Sequence, residues 1–293
     1  MASLKEIKDR IGSVKSTKKI TSAMKMIASA KLHKAQAAIG NFLPYQAKLD
    51  AILTNLLSSD ISYDSPFTQK REVKRVAIIV FSSNSSLCGA YNANVIKEFN
   101  AAYKQYESLG RDNILIYPVG KKIADAVKKQ GLKSQGDYRE MADNPSYQAV
   151  QDLAKDLIGK YVNKDLDEVV IIYHHFVSTG TQILEKGSFL PFNLEQAQSE
   201  AENAKNAQTD YILEPSKEEI LESLIPTVLY SRLYAVLLDS NASEHAARTM
   251  AMQIASDNAD ELVQDLTVQY NKSRQQAVTN ELLDIIGGAS ALE

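Results

Sequence analysis

Two groups of residues in this sequence have side chains suited to chemistry. The segment Ser82–Gly89 follows an apolar run and contains four serines, Asn84 and the only cysteine, Cys88. A loop of this kind, at the carboxyl end of a strand, is where α/β sheets usually bind ligands. His174 and His175 are adjacent, and imidazoles serve as metal ligands and general bases.

Neither group has the companions that such chemistry requires. Cys88 would need a base partner to act as a nucleophile, and the sequence places none beside it, which favours a packed thiol. His174 and His175 alternate across a strand, so their rings face opposite sides and cannot bind one metal ion together. The sequence contains no phosphate-binding glycine motif. We therefore predict no catalytic, cofactor-binding or metal-binding residues.

Strand and helix patterns alternate in the middle of the chain and would position these residues. Continuous apolar runs are typical of parallel strands buried on both faces. Strands are predicted at 75–81, 113–117, 168–173 and, at the sheet edge, 181–192. Helices are predicted between them at 92–109, 121–129 and 147–160. The alternation predicts an α/β layer domain.

Both ends of the chain predict very long helices. The 60 residues from Thr227 to Ile286 contain neither Gly nor Pro, and the run stops at Gly287-Gly288. A helix of that length would be ~90 Å long, which exceeds the diameter of a small domain. Residues 1–59 contain only Gly12, Gly40 and Pro44 as helix breakers. A helix that projects beyond its own domain must be covered by something else.

Apolar spacing predicts that the two terminal helices pair. One seam is formed by residues spaced 3, 4 and 3 apart, Leu4, Ile7, Ile11 and Val14. A second stripe, Ile20, Met24 and Ile27, lies ~160° around the helix from the first. It either packs in the core or bears against another protein. On the C-terminal helix we predict one face with Met250, Ile254, Leu262, Leu266, Tyr270 and Ala277.

Opposite charges on the two ends support this pairing. Residues 1–60 contain ten basic and four acidic residues, a net charge of +6, whereas residues 227–293 contain four and nine, a net charge of −5. A basic and an acidic helix attract each other and resist self-pairing. The whole chain has a net charge of −3, which gives no case for nucleic-acid binding.

The predicted fold class is α/β, with a long antiparallel coiled coil of the N- and C-terminal helices and an inserted Rossmann-like α/β domain. The predicted division has four parts: a coiled-coil helix at 1–60, the α/β domain at 70–195, a linker and foot at 194–215, and a coiled-coil helix at 216–287. No stretch approaches the ~18 apolar residues of a membrane span, and the first residues resemble no signal peptide.

Four segments together resemble one protein family. They are IKDRIGSVKSTKKITSAMKMIASAKL (7–32), SSLCGAYNANV (85–95), ASEHAARTMAM (242–252) and YNKSRQQAVTNELLDIIGGASAL (270–292). They resemble the gamma subunit of F-type ATP synthases. The loop departs from the family, which commonly has Asp-Arg-Gly where this chain has Asn84-Ser85-Ser86, so no charge contact of that loop is carried over. Leu213 also replaces a usual aromatic residue.

The resemblance implies a rotor shaft. In this family the terminal helices form the coiled coil inside a hexamer of three alpha and three beta subunits, and the α/β domain contacts the epsilon subunit and the membrane c-ring. The implied role is coupling of proton-driven ring rotation to ATP synthesis, without intrinsic catalysis and without a cofactor. The implied location is peripheral, at the cytoplasmic face of a bacterial plasma membrane.

Contact residues are carried over by position from the same resemblance. Residues implied to meet the beta subunits are Met24, Lys25, Lys31, Arg274, Gln275, Thr279 and Glu281. Residues implied to form the foot that meets epsilon and the ring are Tyr211, Glu214, Leu87 and Cys88.

Two other functions fit the sequence pattern. An α/β ligand-binding protein or hydrolase with a helical oligomerisation arm would show binding or activity as an isolated chain. A free-standing coiled-coil scaffold would self-associate through its C-terminal helix.

Overall fold

In a computed structural model, residues 3–58, 66–69, 71–192 and 213–290 are described. The helices are α1 (Leu4–Ser58), α2 (Tyr91–Tyr106), α3 (Lys121–Lys129), α4 (Arg139–Asp143), α5 (Tyr147–Val162) and α6 (Lys217–Ser290). The strands are β1 (Val76–Phe81), β2 (Ile114–Val119), β3 (Glu168–Ser178) and β4 (Thr181–Leu190).

These elements form two compact units. The first, here called the helical unit, comprises Met1–Ala28 and Arg248–Glu293, and the second, the sheet unit, comprises Ser29–Ala247. Helices α1 and α6 contribute residues to both units. The four-part division drawn from the sequence stays a prediction.

The sheet unit contains a four-stranded mixed sheet in the order β2-β1-β3-β4. Strand β1 is central and pairs in parallel with β2 and β3, and β4 joins β3 as an antiparallel edge. All six residues of β1 are buried, as a strand with neighbours on both sides and helices on both faces requires. The predicted α/β fold class is confirmed.

Alternate residues of β1 build two cores. Ala77, Ile79 and Phe81 contribute to a cluster with side chains of α1, α5 and α6. Val76, Ile78 and Val80 contribute to a second cluster with α2 and α3. The period of two along a strand sends alternate side chains to opposite faces, so one apolar run supports both layers.

The long helices tolerate residues that usually interrupt helices. Helix α6 contains Pro226 and continues through Gly287 to Ser290, so the predicted stop at Gly287-Gly288 is wrong. An interior glycine costs a helix about 1 kcal/mol but does not forbid it. Pro226 removes a hydrogen bond to the carbonyl of Glu222, and Glu222 is exposed, which leaves that carbonyl open to water.

Among the described residues, one helix passes a test of length and composition for crossing a membrane. That helix is α6, and 39% of the stretch concerned is buried within the protein. The expectation that no stretch approaches a membrane span is therefore wrong by this measure. An apolar stretch of this kind is also what a helix needs when it is packed on several sides.

The two adjacent histidines of β3 face opposite sides, as predicted. The ring of His174 is 3% exposed and stacks on Tyr91 with ring centroids 4.4 Å apart. Among the described residues its Nδ1 atom has no hydrogen-bond partner. Burial lowers the pKa of His174 from 6.5 to about 4, because the charged ring would lose its hydration.

Acid should therefore destabilise the protein through His174. The unfolded chain binds this proton below about pH 6.5 and the native chain only below about pH 4, so stability falls as pH falls between those values. The full loss is about 3 kcal/mol, of which about 2 kcal/mol appears by pH 5. Urea unfolding of the purified chain at pH 7 and pH 5 measures it. His174→Phe should flatten this slope, while substitution of the exposed His33 by Gln should not.

Candidate functional site

In the helical unit, the predicted seam of α1 is correct at its start and extends further than predicted. Its buried or half-buried positions keep an alternating spacing of 3 and 4, which is the pattern of a coiled-coil seam. They are Leu4, Ile7, Ile11, Val14, Lys18, Thr21, Lys25 and Ala28. The seam continues through Lys18, whose ammonium group pairs with a carboxylate of α6.

The seam of α6 agrees with the predicted face at Leu266, Tyr270 and Ala277 and differs from it earlier in the helix. Met250, Ile254 and Leu262 are exposed, so their assignment to the seam is wrong. The positions actually covered are Met252, Ser256, Ala259, Val263, Leu266, Tyr270, Ser273 and Ala277. Small side chains at Ser256 and Ala259 allow the two backbones to approach closely, and the bulkier aliphatic side chains are displaced outward.

Polar contacts across the seam show that the helices are antiparallel. Lys18 Nζ lies 2.5 Å from Asp260 Oδ1, and the hydroxyls of Thr21 and Ser256 are 2.8 Å apart. Lys25 Nζ donates to Gln253 Oε1 at 2.7 Å. Residue numbers rise on α1 as they fall on α6. Directional bonds of this kind fix the register of a helix pair more strictly than apolar contacts do.

The outer surface of the same section is apolar. Ile20 and Ile27 are each 60% exposed, Met26 is 64% exposed, and Ile254 faces solvent as well. Met24 is half-buried. The normal arrangement of a helix pair, with apolar residues inside and polar residues outside, is thus inverted over about two turns of α1. An exposed apolar surface of this kind marks a surface that another protein covers.

A second apolar surface lies at the end of α6. Beyond Ala277 the large aliphatic side chains are between 50% and 68% exposed, and they are Val278, Leu282, Leu283, Ile285 and Ile286. At about 100° per residue, these positions fall within an arc of about 160° around the helix. This terminal segment therefore has one wide apolar face, and its polar residues Asn280, Glu281 and Asp284 lie on the other side.

The residues predicted to contact the beta subunits lie on α1 and α6, with Lys31 in the sheet unit and the others in the helical unit. Lys31, Arg274, Gln275, Thr279 and Glu281 are exposed. Lys25 is half-buried and is engaged within the seam, which the sequence did not indicate. Two further exposed apolar residues were not predicted for this contact, because Met26 was not singled out and Ile254 was assigned to the seam. Their signal was present, because each is a bulky apolar residue one or two positions away from a seam residue.

The residues predicted for the foot have different surroundings. Tyr211 lies outside the described residues. Glu214 is exposed, and Leu87 is exposed with a φ of 68°. The thiol of Cys88 is buried, and the amide of Asn92 donates to its Sγ atom at 3.0 Å. Of the two loop residues predicted for the foot, Leu87 is therefore the one that a partner can reach.

The loop after β1 uses its own polar groups to satisfy the start of α3. The backbone amides of Lys121, Lys122 and Ile123 donate to Asn84 Oδ1, to the carbonyl of Ser83 and to Ser82 Oγ, at 2.8, 3.1 and 3.0 Å. In nucleotide-binding α/β domains, amides at such a helix start hold phosphate. In this protein, groups of the loop itself accept the hydrogen bonds of these amides.

The residue Asn84, which departs from the family pattern, also has a second contact. Its side-chain amide donates to the carbonyl of Arg139 at 2.7 Å, so Asn84 joins the start of α3 to the start of α4. Gly120 completes the arrangement, with a φ of +103° and with the position of a Cβ atom only 2.2 Å from the carbonyl oxygen of Ser82. The close approach of loop and helix needs glycine there.

A cavity of about 830 Å³ lies in the sheet unit between α1, the β3–β4 hairpin and α6. Most of the charged groups that line it are paired within the protein, whereas Gln46 Oε1 is buried without a hydrogen-bond partner among the described residues. Arg232 donates to Asp50 at 3.0 Å, Tyr173 to Glu185 at 2.7 Å, and His175 pairs with Asp239 at 2.6 Å. A small-molecule site needs polar groups that converge on the ligand, so these internal pairs disfavour the ligand-binding alternative.

Comparison with known sequences gives one consistent result. A sequence model described as ATP synthase matches residues 3–292. The chain is 59% identical over 291 residues to the ATP synthase gamma chain of Phocaeicola vulgatus, covering 99% of this chain and 100% of that one. It is 41% identical over 295 residues to the ATP synthase gamma chain of Cytophaga hutchinsonii, covering 100% and 99%.

Solved structures share the fold. One neighbour is a chain of the central stalk and c-ring of the Tetrahymena thermophila mitochondrial ATP synthase, with a TM-score of 0.58, 24% identity and coverage of 81% of this chain and 99% of that chain. Another is a chain of the Euglena gracilis mitochondrial ATP synthase, with a TM-score of 0.60, 18% identity and coverage of 99% and 94%. At these identities the likeness concerns the fold.

Proposed function

Because this chain belongs to the ATP synthase gamma-chain family, we propose that it is the central rotor shaft of an F-type ATP synthase. Proton flow through the membrane c-ring turns the shaft, and the shaft presents a different face in turn to each catalytic beta subunit. Each orientation stabilises one beta conformation over the others, so rotation becomes a population shift among nucleotide sites.

One observation supports this role most directly, namely the inverted section of the coiled coil. Ile20, Met26 and Ile27 face outward, while Thr21 and Ser256 face each other in the seam. A free-standing coiled coil would gain stability from the opposite arrangement. Apolar side chains on the outside are favourable only if an apolar sleeve surrounds the helices, and the ring of alpha and beta subunits is that sleeve.

Contacts with the beta subunits combine this apolar surface with exposed charge. Lys31 and Arg274 are the cations of the proposed contact, and Glu281 is its anion. Met24 and Lys25 lie in the middle of the inverted section. Gln275 and Thr279 lie on the terminal segment of α6, and they complete the set of polar groups available to beta-subunit loops.

The predicted foot is proposed to contact the epsilon subunit and the c-ring. Glu214, three residues before the start of α6, and Leu87 are exposed and are assigned to this foot together with Tyr211. The division into coiled-coil helices (1–60, 216–287), α/β domain (70–195) and foot (194–215) is part of this proposal. Through the ring the protein is peripheral to the cytoplasmic face of the bacterial plasma membrane.

The chain is proposed to have no catalytic activity of its own. The backbone amides that could bind a phosphate group donate instead to residues of the loop after β1. The thiol of Cys88 is buried against Asn92. Catalysis of ATP formation is therefore assigned to the beta subunits. We expect Cys88→Ser to leave the assembled enzyme active, because a hydroxyl replaces the thiol with nearly the same shape.

Co-purification tests the proposal against its alternatives. A tagged chain, expressed in a bacterium that makes the other subunits, should carry alpha and beta subunits in a three-to-three-to-one complex that hydrolyses ATP. The isolated chain should hydrolyse none. Recovery of homo-oligomers alone would favour the coiled-coil scaffold, and ATP turnover by the isolated chain that persists on further purification would favour the hydrolase with an oligomerisation arm.

A further inference from the structure

Four consecutive or near-consecutive polar residues of α6 lie deep in the sheet unit. They are Asp239, Ser240, Asn241 and Ser243, here called the collar. Ser240 and Ser243 are buried, and the side chain of Asp239 is 18% exposed. Polar residues at such depth must be hydrogen-bonded or they cost stability. Each collar residue does have a partner, and none of the partners belongs to α6.

Two collar residues bond to the C-terminal part of β3. Asp239 Oδ1 accepts from the backbone amide of Phe176 at 2.8 Å, and its Oδ2 atom lies 2.6 Å from His175 Nδ1. Ser243 Oγ donates to the carbonyl of His174 at 3.0 Å. Strand β1 pairs with β3 only as far as Ile172, so side chains of α6 bond to backbone that lies beyond the end of the neighbouring strand.

The other two collar residues bond to two more elements. The phenol of Tyr91, on α2, lies 2.8 Å from Ser240 Oγ and also donates to the carbonyl of Ser240 at 3.1 Å. The amide of Asn241 donates to the carbonyl of Ala142, on α4, at 2.8 Å. Successive residues of a helix point about 100° apart, so the bonds reach β3, α2 and α4 from three sides of α6.

Bonds in three directions restrain a helix differently from an apolar contact. An apolar surface can slide or rotate by a fraction of a turn with little loss, whereas a hydrogen bond weakens steeply when its angle or length changes. We propose that the collar holds α6 at a fixed angle within the sheet unit, so that torque passes between the α/β layers and this helix without angular slack. Asp239 is its principal positioning residue. This inference rests on the proposed rotor function.

The bond between His175 and Asp239 gives the collar a pH-sensitive part. The hydrogen bond to Asp239 raises the pKa of His175 above its ordinary value, and burial raises the pKa of Asp239. The negative charge of Glu185 on β4 also raises the pKa of His175. Asp50 of α1 and Lys186 of β4 line the same cavity. The charged bond is present while His175 is protonated, and it weakens as pH rises through the raised pKa.

The experiment measures angular fluctuation in the assembled enzyme. A bead attached to an exposed residue of the α/β layers reports the spread of angles during each pause of ATP-driven rotation. Asp239→Ala removes two collar bonds and should increase the angular variance by about twofold. Asp239→Asn keeps an acceptor for the Phe176 amide and should lie between Asp239→Ala and the unsubstituted chain.

The matched control is Tyr106→Phe, which removes the hydrogen bond between Tyr106 and Glu168 in the same unit without touching α6. It should leave the variance unchanged. Equal angular variance in Asp239→Ala and Tyr106→Phe would overturn the proposal that the collar fixes the angle of α6. If Asp239→Ala does not assemble, Ser243→Ala, which removes a single hydroxyl, replaces it under the same criterion.

A pH profile separates positioning from simple loss of stability. In the unsubstituted chain the variance should rise as pH rises through the pKa of His175, and His175→Gln should remove that dependence. A pH dependence that survives in His175→Gln would contradict the role of this pair. Failure of the unsubstituted chain to rotate at all would contradict the rotor function itself, so the two failures are distinguishable.

Discussion

Replacement of Leu266 by Asp is expected to separate the two helices of the coiled coil and to prevent assembly of the complex. The side chain of Leu266 is 4% exposed and lies in the seam of the helical unit. Removal of a buried leucine costs about 2–5 kcal/mol, and an unpaired carboxylate at the same place adds its desolvation cost. Together these exceed what a marginally stable protein can lose.

Thermal unfolding of the purified chain and the yield of complex on a native gel measure this effect. Two controls come from the same stretch of α6. Leu262 is 38% exposed, so Leu262→Asp should alter stability of the isolated chain far less than Leu266→Asp. Asp265 is exposed, and Asp265→Asn should change the free energy of unfolding by no more than about 0.5 kcal/mol. Equal loss in all three variants would mean that Leu266 does not lie in the seam.

The α/β layers could be predicted because their signal is local. The run Val76–Phe81 is apolar at every position, and a strand with helices on both faces needs that composition. The seam of α1 was visible for the same reason at Leu4 and Ile7, where bulky aliphatic residues mark the heptad. The short helix α4 was missed, because five residues are too few to show a period of 3.6.

Apolar spacing located the seam of α6 only in its later part, at Leu266, Tyr270 and Ala277. Its central positions are Ser256 and Ala259, while the bulkier Ile254 is exposed. A pattern search follows the large side chains and therefore finds the outer surface. Ser256 is recognisable as a seam residue only beside Thr21, which is 235 positions away in the sequence. The register of the helix pair is thus a tertiary property.

The collar was equally invisible in the sequence. Asp239, Ser240 and Asn241 look like a polar interruption that a solvated helix face would also show. Their meaning depends on three elements that meet α6 from different sides, and no local pattern encodes that meeting. In both cases apolar side chains specify where the helices pack, and polar bonds between distant residues specify at what angle and in what register.

Simultaneous replacement of Arg274 and Gln275 by Ala is expected to lower ATP turnover while the subunits still assemble. Both side chains are exposed and lie near the apolar end of α6, where polar groups that enter a sleeve must find partners or remain hydrated. Charge-assisted bonds to the beta subunits would contribute about 1.5–3 kcal/mol each when desolvated. Assembly should persist, because neither residue lies in the seam.

The loss should be larger in one angular state than in the others, because only one beta subunit faces that side of the shaft at a time. Steady-state ATP hydrolysis by the assembled complex measures the average effect, and pause durations in single-molecule rotation resolve it by angle. The matched control is Lys272→Ala, which removes an exposed cation one turn or less away. If Arg274→Ala with Gln275→Ala assembles fully and turns over at the unaltered rate, these residues are solvated side chains and the shaft contacts the beta subunits elsewhere.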